Sequence, residues 1–282
     1  MEPVLVAYNA RTDDRGPVEF GLAASRATGA PLVIQWVYRG GEALAEADVH
    51  AVERLREDLQ ARGCEHDVRT VAGWSVGVEI TDEAARLGAL MIVLGTTRRG
   101  AAQAALLGTT AERVIQDAAC PVAVVPRDYA PQAGRINVVG AACTPSPEGR
   151  FALSWAAGLA RAGGVRLHAF QVVQQDRAGA EAALREATRA VAAGIDAHVE
   201  VVEDDPADAL VAATRRLELL VMGSRGGGST RAVMLGSVSR RVAEHAECPV
   251  VILPRAAQAA ADGLLARFAR RGSAPAIAEP GA

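Results

Sequence analysis

The segment Val221–Ser237, VMGSRGGGSTRAVMLGS, places glycines between an apolar run and an amphipathic run. The run LELLVMG before the loop is typical of a buried β-strand, and SVSRRVAEHAE after it is typical of an α-helix. Glycine permits positive φ angles and lets a ligand approach the backbone without a Cβ in the way. Because free N–H groups at a helix start attract anions, this segment predicts an anion cradle.

Other interpretations of this loop remain open on spacing alone. It is not a Walker loop, since no Gly-Lys-Ser/Thr is present, and it does not match GxGxxG after a first strand. A tight strand-to-helix connector with Ser237 as an ordinary N-cap also fits. Arg225 and Arg231 would supply positive charge to an anion held there.

The chain contains an internal repeat with an offset of 128 residues. CPVAVVPR (120–127) returns as CPVVILPR (248–255), and IVLGTTRRGAAQAALLGT (92–109) has the outline of the opening segment. The same offset relates three further pairs, which are Gly95 and Gly223, Gly108 and Gly236, and Thr109 and Ser237. We therefore predict two duplicated units, residues 1–130 and 131–256, followed by a partly helical or disordered tail, 257–282.

Within each unit, strand patterns alternate with helix patterns. Short continuous apolar runs such as MIVL (91–94) and LLVM (219–222) are typical of parallel strands covered on both faces. This alternation, with a break at the midpoint, favours α/β architecture: two tandem doubly wound, Rossmann-like parallel-sheet domains rather than one barrel.

The totals exclude several classes of protein. The net charge is −3 and aromatic residues make up 4% of the 282 positions, which gives no reason to expect nucleic-acid or membrane binding. The N-terminus lacks the basic and apolar regions of a signal peptide, so we expect a cytoplasmic protein with reduced thiols. The four cysteines have no CxxC spacing and the five histidines are scattered, so neither a metal site nor a catalytic triad is predicted.

The spacing Gly223-x2-Gly226-x9-Gly236-Ser237 resembles the ATP-binding motif of the universal stress protein family, G-x2-G-x9-G-(S/T). The surrounding LLVMGSRG…LGSVSRRVAEHAECPVVILP is similar to the C-terminal half of that family. With two copies, the resemblance covers about residues 1–255 and is that of a tandem universal stress protein.

For the second unit, the resemblance implies a complete nucleotide site. The phosphates would meet Gly223, Gly226, Gly236 and Ser237, with Ser224 and Arg225 in the same loop and a backbone N–H from Val238. Adenine would meet the backbone at Val172. The family's ribose-binding Asp matches Ala142 here, which predicts one missing hydrogen bond and up to about tenfold weaker binding.

For the first unit, the resemblance implies a degenerate site. Gly95, Gly108 and Thr109 match the motif, but Arg98 replaces its second glycine and would either fill the phosphate space or pair with a phosphate. Asn9 takes the ribose position, and Val37 takes the adenine position. We therefore expect ATP, with Mg²⁺ left open, chiefly in the second unit.

The expected function is adenine-nucleotide binding by a stress-response regulatory protein, with at most slow ATP hydrolysis because no general base is visible beside the loop. Two alternatives remain: an interaction scaffold with degenerate sites, and a sensor of cyclic or monophosphate nucleotides. An ATP-pyrophosphatase-type enzyme is disfavoured, because no Ser-Gly-Gly or His-x-Gly-His signature follows either first strand. The resemblance also implies that PVAVVP and PVVILP pair across a pseudo-two-fold axis, and it leaves homodimerisation open.

Two further groups of residues have structural interpretations. Cys120 and Cys248 precede proline at equivalent positions and are expected to pack at helix ends, with redox sensing as the alternative. The acids of DDPADAL (204–210) predict a helix start, with Pro206 at the first helical position, rather than a metal cluster. In the tail, Leu264, Leu265 and Phe268 suggest a docked helix or a partner-binding one.

Overall fold

A computed structural model describes residues 2–41, 44–99, 104–127, 129–131, 134–224 and 235–259. The predicted tail helix around residues 264–268 therefore lies outside the described residues. Within this part of the chain, no helix is long and apolar enough to cross a membrane.

The first unit alternates strands and helices. Its elements are β1 (Val4–Tyr8), α1 (Gly16–Thr28), β2 (Leu32–Arg39), α2 (Glu46–Ala61), β3 (His66–Gly73), α3 (Val76–Leu87), β4 (Met91–Gly95), β5 (Thr97–Arg99), β6 (Ala104–Leu106), α4 (Thr109–Asp117) and β7 (Val122–Val125). The pair β5–β6 is a short antiparallel hairpin that takes up part of the stretch predicted as a glycine loop.

Over its described residues, the second unit repeats this order without counterparts of β5 and β6. Its elements are β8 (Val138–Cys143), α5 (Pro147–Gly163), β9 (Arg166–Val173), α6 (Arg177–Val191), β10 (Ala197–Glu203), α7 (Pro206–Ala213), β11 (Leu219–Gly223), α8 (Ser237–His245) and β12 (Val250–Leu253), followed by α9 (Arg255–Ala259). As predicted, α7 begins with Pro206 after Asp205, whose carboxylate accepts the N–H groups of Ala207 and Asp208 at 3.0 and 3.1 Å.

All strands except β5 and β6 form one sheet, in the order β10-β9-β8-β11-β12-β7-β4-β1-β2-β3. Pairing is parallel within each half, and β7 and β12 pair antiparallel at the centre. The prediction of α/β architecture with parallel, doubly wound halves is confirmed. The central pair joins the two halves into a continuous sheet, which covers an edge that each half would otherwise expose.

The strands are buried on both faces because alternate residues pack against different helix layers. Val4 and Val6 of β1 point toward the layer that includes Phe20 of α1 and Trp155 of α5. Leu5 between them points toward the layer that includes Ile80 and Val242. Helices α1, α2, α5 and α6 therefore cover one face, and α3, α4, α7 and α8 cover the other.

Candidate functional site

Each half of the sheet has a topological switch point. Strand β1 lies between β2 and β4, and β8 lies between β9 and β11. The helix after β1 covers one face, and the helix that follows β4 covers the other. In open parallel sheets, ligands bind in the crevice at the carboxyl ends of such strands.

The crevice of the first unit is a cavity of about 560 Å³, within the usual range of ligand pockets, about 300–1,000 Å³. It is lined by all five residues predicted for this unit, namely Asn9, Val37, Gly95, Gly108 and Thr109. Sequence reasoning did not predict its aromatic and charged lining residues, among them Tyr8, Arg11, Asp14, Trp36, Arg39 and Arg127.

The charges of this first cavity suit an anionic ligand, since three arginines and one aspartate line it. Arg11 also lies 3.6 Å from Asp48, and the backbone N–H of Arg127 donates to Thr96 Oγ1 at 3.2 Å. The carboxylate of Asp14 accepts a hydrogen bond from the backbone N–H of Gly16 at 3.0 Å, and this bond holds it at the start of α1.

A network anchored on Asp13 fixes the loop between β1 and α1. Tyr8 donates to Asp13 Oδ1, as does Arg15 Nε at 2.9 Å, and Arg54 lies 3.4 Å from Oδ2. Burial by itself raises the pKa of Asp13, but the hydrogen bonds from Tyr8 and Arg15 and the nearby guanidinium charges outweigh it and lower the pKa. Asp13 has a φ of 44°, a left-handed conformation that this network holds in place.

The glycines of the first unit lie where the backbone must approach other groups closely. A Cβ at Gly95 would lie 3.0 Å from Pro17 Cγ and 3.4 Å from Asp14 Oδ2. Gly108 is the N-cap of α4, and no side chain caps this helix. The N-cap position therefore supplies no side-chain acceptor to the first-turn N–H groups of α4 at the edge of the cavity. Arg98 belongs to β5, and its side chain lies outside what the structure describes.

The crevice of the second unit is smaller, about 180 Å³, and three residues predicted there, Val172, Gly223 and Val238, line it. Ser224 and Gly236 close the base of the loop, since the N–H of Gly236 donates to the carbonyl of Ser224 at 2.9 Å. The predicted phosphate residues Arg225 and Gly226, together with Arg231, lie outside the described residues.

The start of α8 differs from the prediction that Ser237 caps it. The N-cap is Gly236, which has no side chain to cap the helix, and Ser237 is the first helical residue. A glycine takes the extended N-cap conformation as readily as serine does, so the helix begins one residue earlier than predicted. Its place then matches Thr109, which follows the N-cap Gly108 in α4.

Strand register identifies the residue of the second unit that is equivalent to Asn9. Val4 pairs with Met91, and Val139 pairs with Leu219, which is 128 positions after Met91. Val4 and Val139 are therefore equivalent, an offset of 135 along β1 and β8. The same offset takes Asn9 to Thr144 and Ala7 to Ala142; both alanines lie within their strands and also line the cavities of their units.

Thr144 is exposed and lines the second cavity. Its hydroxyl lies 2.9 Å from that of Ser146, the N-cap of α5. The second unit thus carries a hydroxyl at the position equivalent to Asn9. The sequence analysis did not identify Thr144, because it searched for the acid of the family motif. The loop after β8 contains neither an acid nor an amide.

Comparison with known proteins agrees with this geometry. The family model described as universal stress protein family matches residues 1–126 and 173–254. This chain belongs to the universal stress protein family. A universal stress protein of Mycolicibacterium smegmatis is 30% identical over 259 residues, which cover 79% of this chain and 84% of that protein.

Another universal stress protein, from Mycobacterium tuberculosis, is 33% identical over 195 residues, 62% of this chain and 63% of that protein. The alignment thus spans less than two thirds of that relative. Among solved structures, a universal stress protein from Archaeoglobus fulgidus superposes with a TM-score of 0.70 at 24% identity, covering 90% of this chain and 98% of that one. That similarity supports the tandem fold.

Some universal stress proteins bind adenine nucleotides. One solved structure is a complex with cAMP, 31% identical over 42% of this chain and 95% of its own, with a TM-score of 0.37. Another, from Archaeoglobus fulgidus, is a complex with dAMP, 21% identical over 45% of this chain and 98% of its own, with a TM-score of 0.36.

Proposed function

We propose that this universal stress protein binds adenine nucleotide, with ATP as the preferred form, and acts as a cytoplasmic regulatory protein. The observation that carries the proposal is the shared arrangement of the two crevices. All five residues predicted for the first unit and three of those predicted for the second line crevices at the carboxyl ends of the switch-point strands, and α4 and α8 both begin at a glycine N-cap.

The role proposed for each part follows from its chemistry. The uncapped first turns of α4 and α8 would hold phosphate oxygens through backbone N–H groups. Asn9 in the first unit and Thr144 in the second would hydrogen-bond the ribose. Val37 and Val172, at the ends of β2 and β9, would meet adenine.

The two units, proposed as residues 1–130 and 131–256, offer different advantages. The second has the complete glycine motif, which leaves room for phosphates against the backbone. The first has the larger cavity and, among the described lining residues, more positive charge. We propose that the second unit is the tighter site, because Arg98 occupies a motif-glycine position in the first.

Regulation rather than catalysis is proposed because the described linings of the two cavities hold a single carboxylate, Asp14, as a candidate general base. Neither lining includes a histidine, and Asp14 already accepts a hydrogen bond from the start of α1. ATP bound there, with or without Mg²⁺, would be hydrolysed slowly.

Native mass spectrometry of the full chain with ATP, AMP and cAMP tests this proposal. The matched variants are Gly226→Arg, which gives the second loop the arginine found in the first, and Arg98→Gly, which gives the first loop the motif glycine. We expect Gly226→Arg to lose the tighter nucleotide and Arg98→Gly to strengthen binding in the first unit. A wild-type protein that stays empty at millimolar nucleotide would contradict the proposal and favour the interaction scaffold.

The ribose assignment has its own test, a pair of substitutions at Thr144. Thr144→Val should weaken nucleotide binding in the second unit by up to about tenfold, the equivalent of one net hydrogen bond. Thr144→Asp, which installs the acid expected from the family, should strengthen it by a similar factor. Isothermal titration calorimetry measures both affinities in proteins that keep Arg98 in the first unit. Equal affinities for all three proteins would show that this position does not contact the ligand.

A further inference from the structure

The strands β9 and β10 bring together two histidines that lie 30 positions apart in the sequence. In their parallel pairing, His198 is the partner of His168, and Glu200 is the partner of Phe170. Side chains two residues apart on a strand share a face, so all of these side chains lie on the face that α7 covers. The imidazole centroids of His168 and His198 are 4.8 Å apart.

Glu200 completes a cluster of three groups able to bind a metal. Its Oε2 lies 2.9 Å from His168 Nε2, and the ligand atoms of the three residues all lie within 4.8 Å of one another. Although this contact with Glu200 is short, the buried Nε2 has no partner with hydrogen-bond geometry among the described residues. A buried ring nitrogen without such a partner is a group that a cation would satisfy.

We propose that His168, His198 and Glu200 bind a divalent cation of borderline softness, with Zn²⁺ as the preferred ion. Two imidazoles and one carboxylate are a common protein ligand set for zinc, and water would take the fourth position. Ligands of tetrahedral zinc lie about 3.4 Å apart, so the widest separation must shorten by about 1.4 Å. His198 is exposed on the edge strand β10, and rotation of its side chain supplies that movement.

Arg216 is the competitor of the ion. Its Nη2 lies 2.7 Å from both oxygens of Glu200, and its guanidinium lies over the ring of Phe170 at 5.8 Å. This positive charge repels a cation, while its hydrogen bonds hold the carboxylate in place. The proposal therefore predicts that removal of Arg216 strengthens Zn²⁺ binding.

The ion site is separate from the proposed nucleotide site. His168 precedes Val172 by four residues on β9, roughly 13 Å along the strand. Phe170 lies between them: its ring meets that of His168 edge to face at 6.2 Å, and it lines the second cavity.

Equilibrium dialysis of the tag-free full chain against Zn²⁺, followed by elemental analysis, tests the site. We expect one Zn²⁺ per chain, at least tenfold weaker binding in His198→Gln and in Glu200→Gln, and several-fold tighter binding in Arg216→Gln. His50→Gln, at an exposed histidine of α2, is the matched control and should bind as the wild type does.

Titration with Co²⁺ distinguishes this site from the cysteines, because thiolate ligands add an intense charge-transfer band that nitrogen and oxygen ligands lack. We expect only weak d–d bands. Three results would each overturn the proposal. The wild-type protein could retain no Zn²⁺, or binding could be unchanged in both His198→Gln and Glu200→Gln. An intense thiolate band that disappears when cysteines are substituted would also overturn it.

Discussion

Glu112 and Arg240 occupy the same position in the two units, 128 residues apart, and form an ion pair with each other across the junction. Both lie in the helical turn that follows a glycine N-cap, Gly108 in α4 and Gly236 in α8. A second contact accompanies this pair, since Glu244 accepts the backbone N–H of Leu107 at 3.4 Å. The duplicated position has thus diverged to opposite charges, which link the starts of the two helices proposed to face phosphate.

Charge reversal tests this link. Glu112→Arg and Arg240→Glu should each destabilise the protein by about 1 kcal/mol, because each places like charges together at a partly buried junction. The double swap should recover most of that loss. Urea unfolding measures the free energies of unfolding for a double-mutant cycle.

The exposed pair Glu181 and Arg185 within α6 is the control for that cycle. Its coupling should be smaller, as for other exposed pairs one turn apart. A coupling between Glu112 and Arg240 no larger than this would show that the junction does not depend on their pairing.

Two glycines of α5 should respond to alanine in opposite directions. A Cβ at Gly149 would lie 2.3 Å from the carbonyl oxygen and 2.4 Å from the backbone nitrogen of Thr144. Gly149→Ala should therefore destabilise the protein by about 2–3 kcal/mol and displace Thr144 from the second cavity. Nucleotide affinity of the second unit should fall with it.

Gly163→Ala is the matched change in the same helix. There the new Cβ would lie 3.4 Å from Ala27 Cβ, an ordinary contact. Alanine should stabilise the protein by about 0.5 kcal/mol through a smaller loss of chain entropy on folding. Thermal and urea unfolding compare the two variants, and equal effects would mean that the crowding at Thr144 is relieved by backbone movement.

The stability that Glu83 provides should depend on pH. Hydrogen bonds from Arg86 lower the pKa of Glu83 below its ordinary value of 4.5, and the charge of Arg69 adds to the effect. A lowered pKa contributes stability above pH 4.5 that disappears as the pH falls through the folded-state value. Glu83→Gln should therefore cost about 1 kcal/mol at pH 7 and progressively less below pH 4.5.

Urea unfolding at several pH values between 3 and 7 measures that difference. Glu181→Gln, at a glutamate that also pairs with an arginine but is exposed, should show a smaller dependence. A cost of Glu83→Gln that stays constant down to pH 3 would show that packing, not the carboxylate charge, is responsible.

The cysteines should react with iodoacetamide at very different rates. Burial raises the pKa of both Cys143 and Cys248 to about 12, which leaves almost no thiolate at neutral pH. Cys120 is also buried, and Cys64 is partly exposed. Mass spectrometry of the native protein should show Cys64 modified first and the other three only after unfolding. Rapid labelling of Cys248 would instead support the redox alternative.

Much of the fold could be predicted because its signals are local. Runs such as LLVM, the proline after Asp205 and the glycine after α1 mark strands and helix ends within a few residues. The offset of 128 then predicted that the two units share the same order of main elements. Those signals sufficed for the alternation of strands and helices.

Relationships between distant strands required the folded chain. Thr144 is equivalent to Asn9 because β1 and β8 are held by their neighbours β4 and β11, and no residue type at the loop reveals that register. His168 and His198 look scattered in the chain, yet parallel pairing makes them partners. Glu112 and Arg240 form an ion pair only because β7 and β12 join the two halves of the sheet. Backbone pairing and burial act across the whole sheet, whereas periodicity reports only on the segment that contains it.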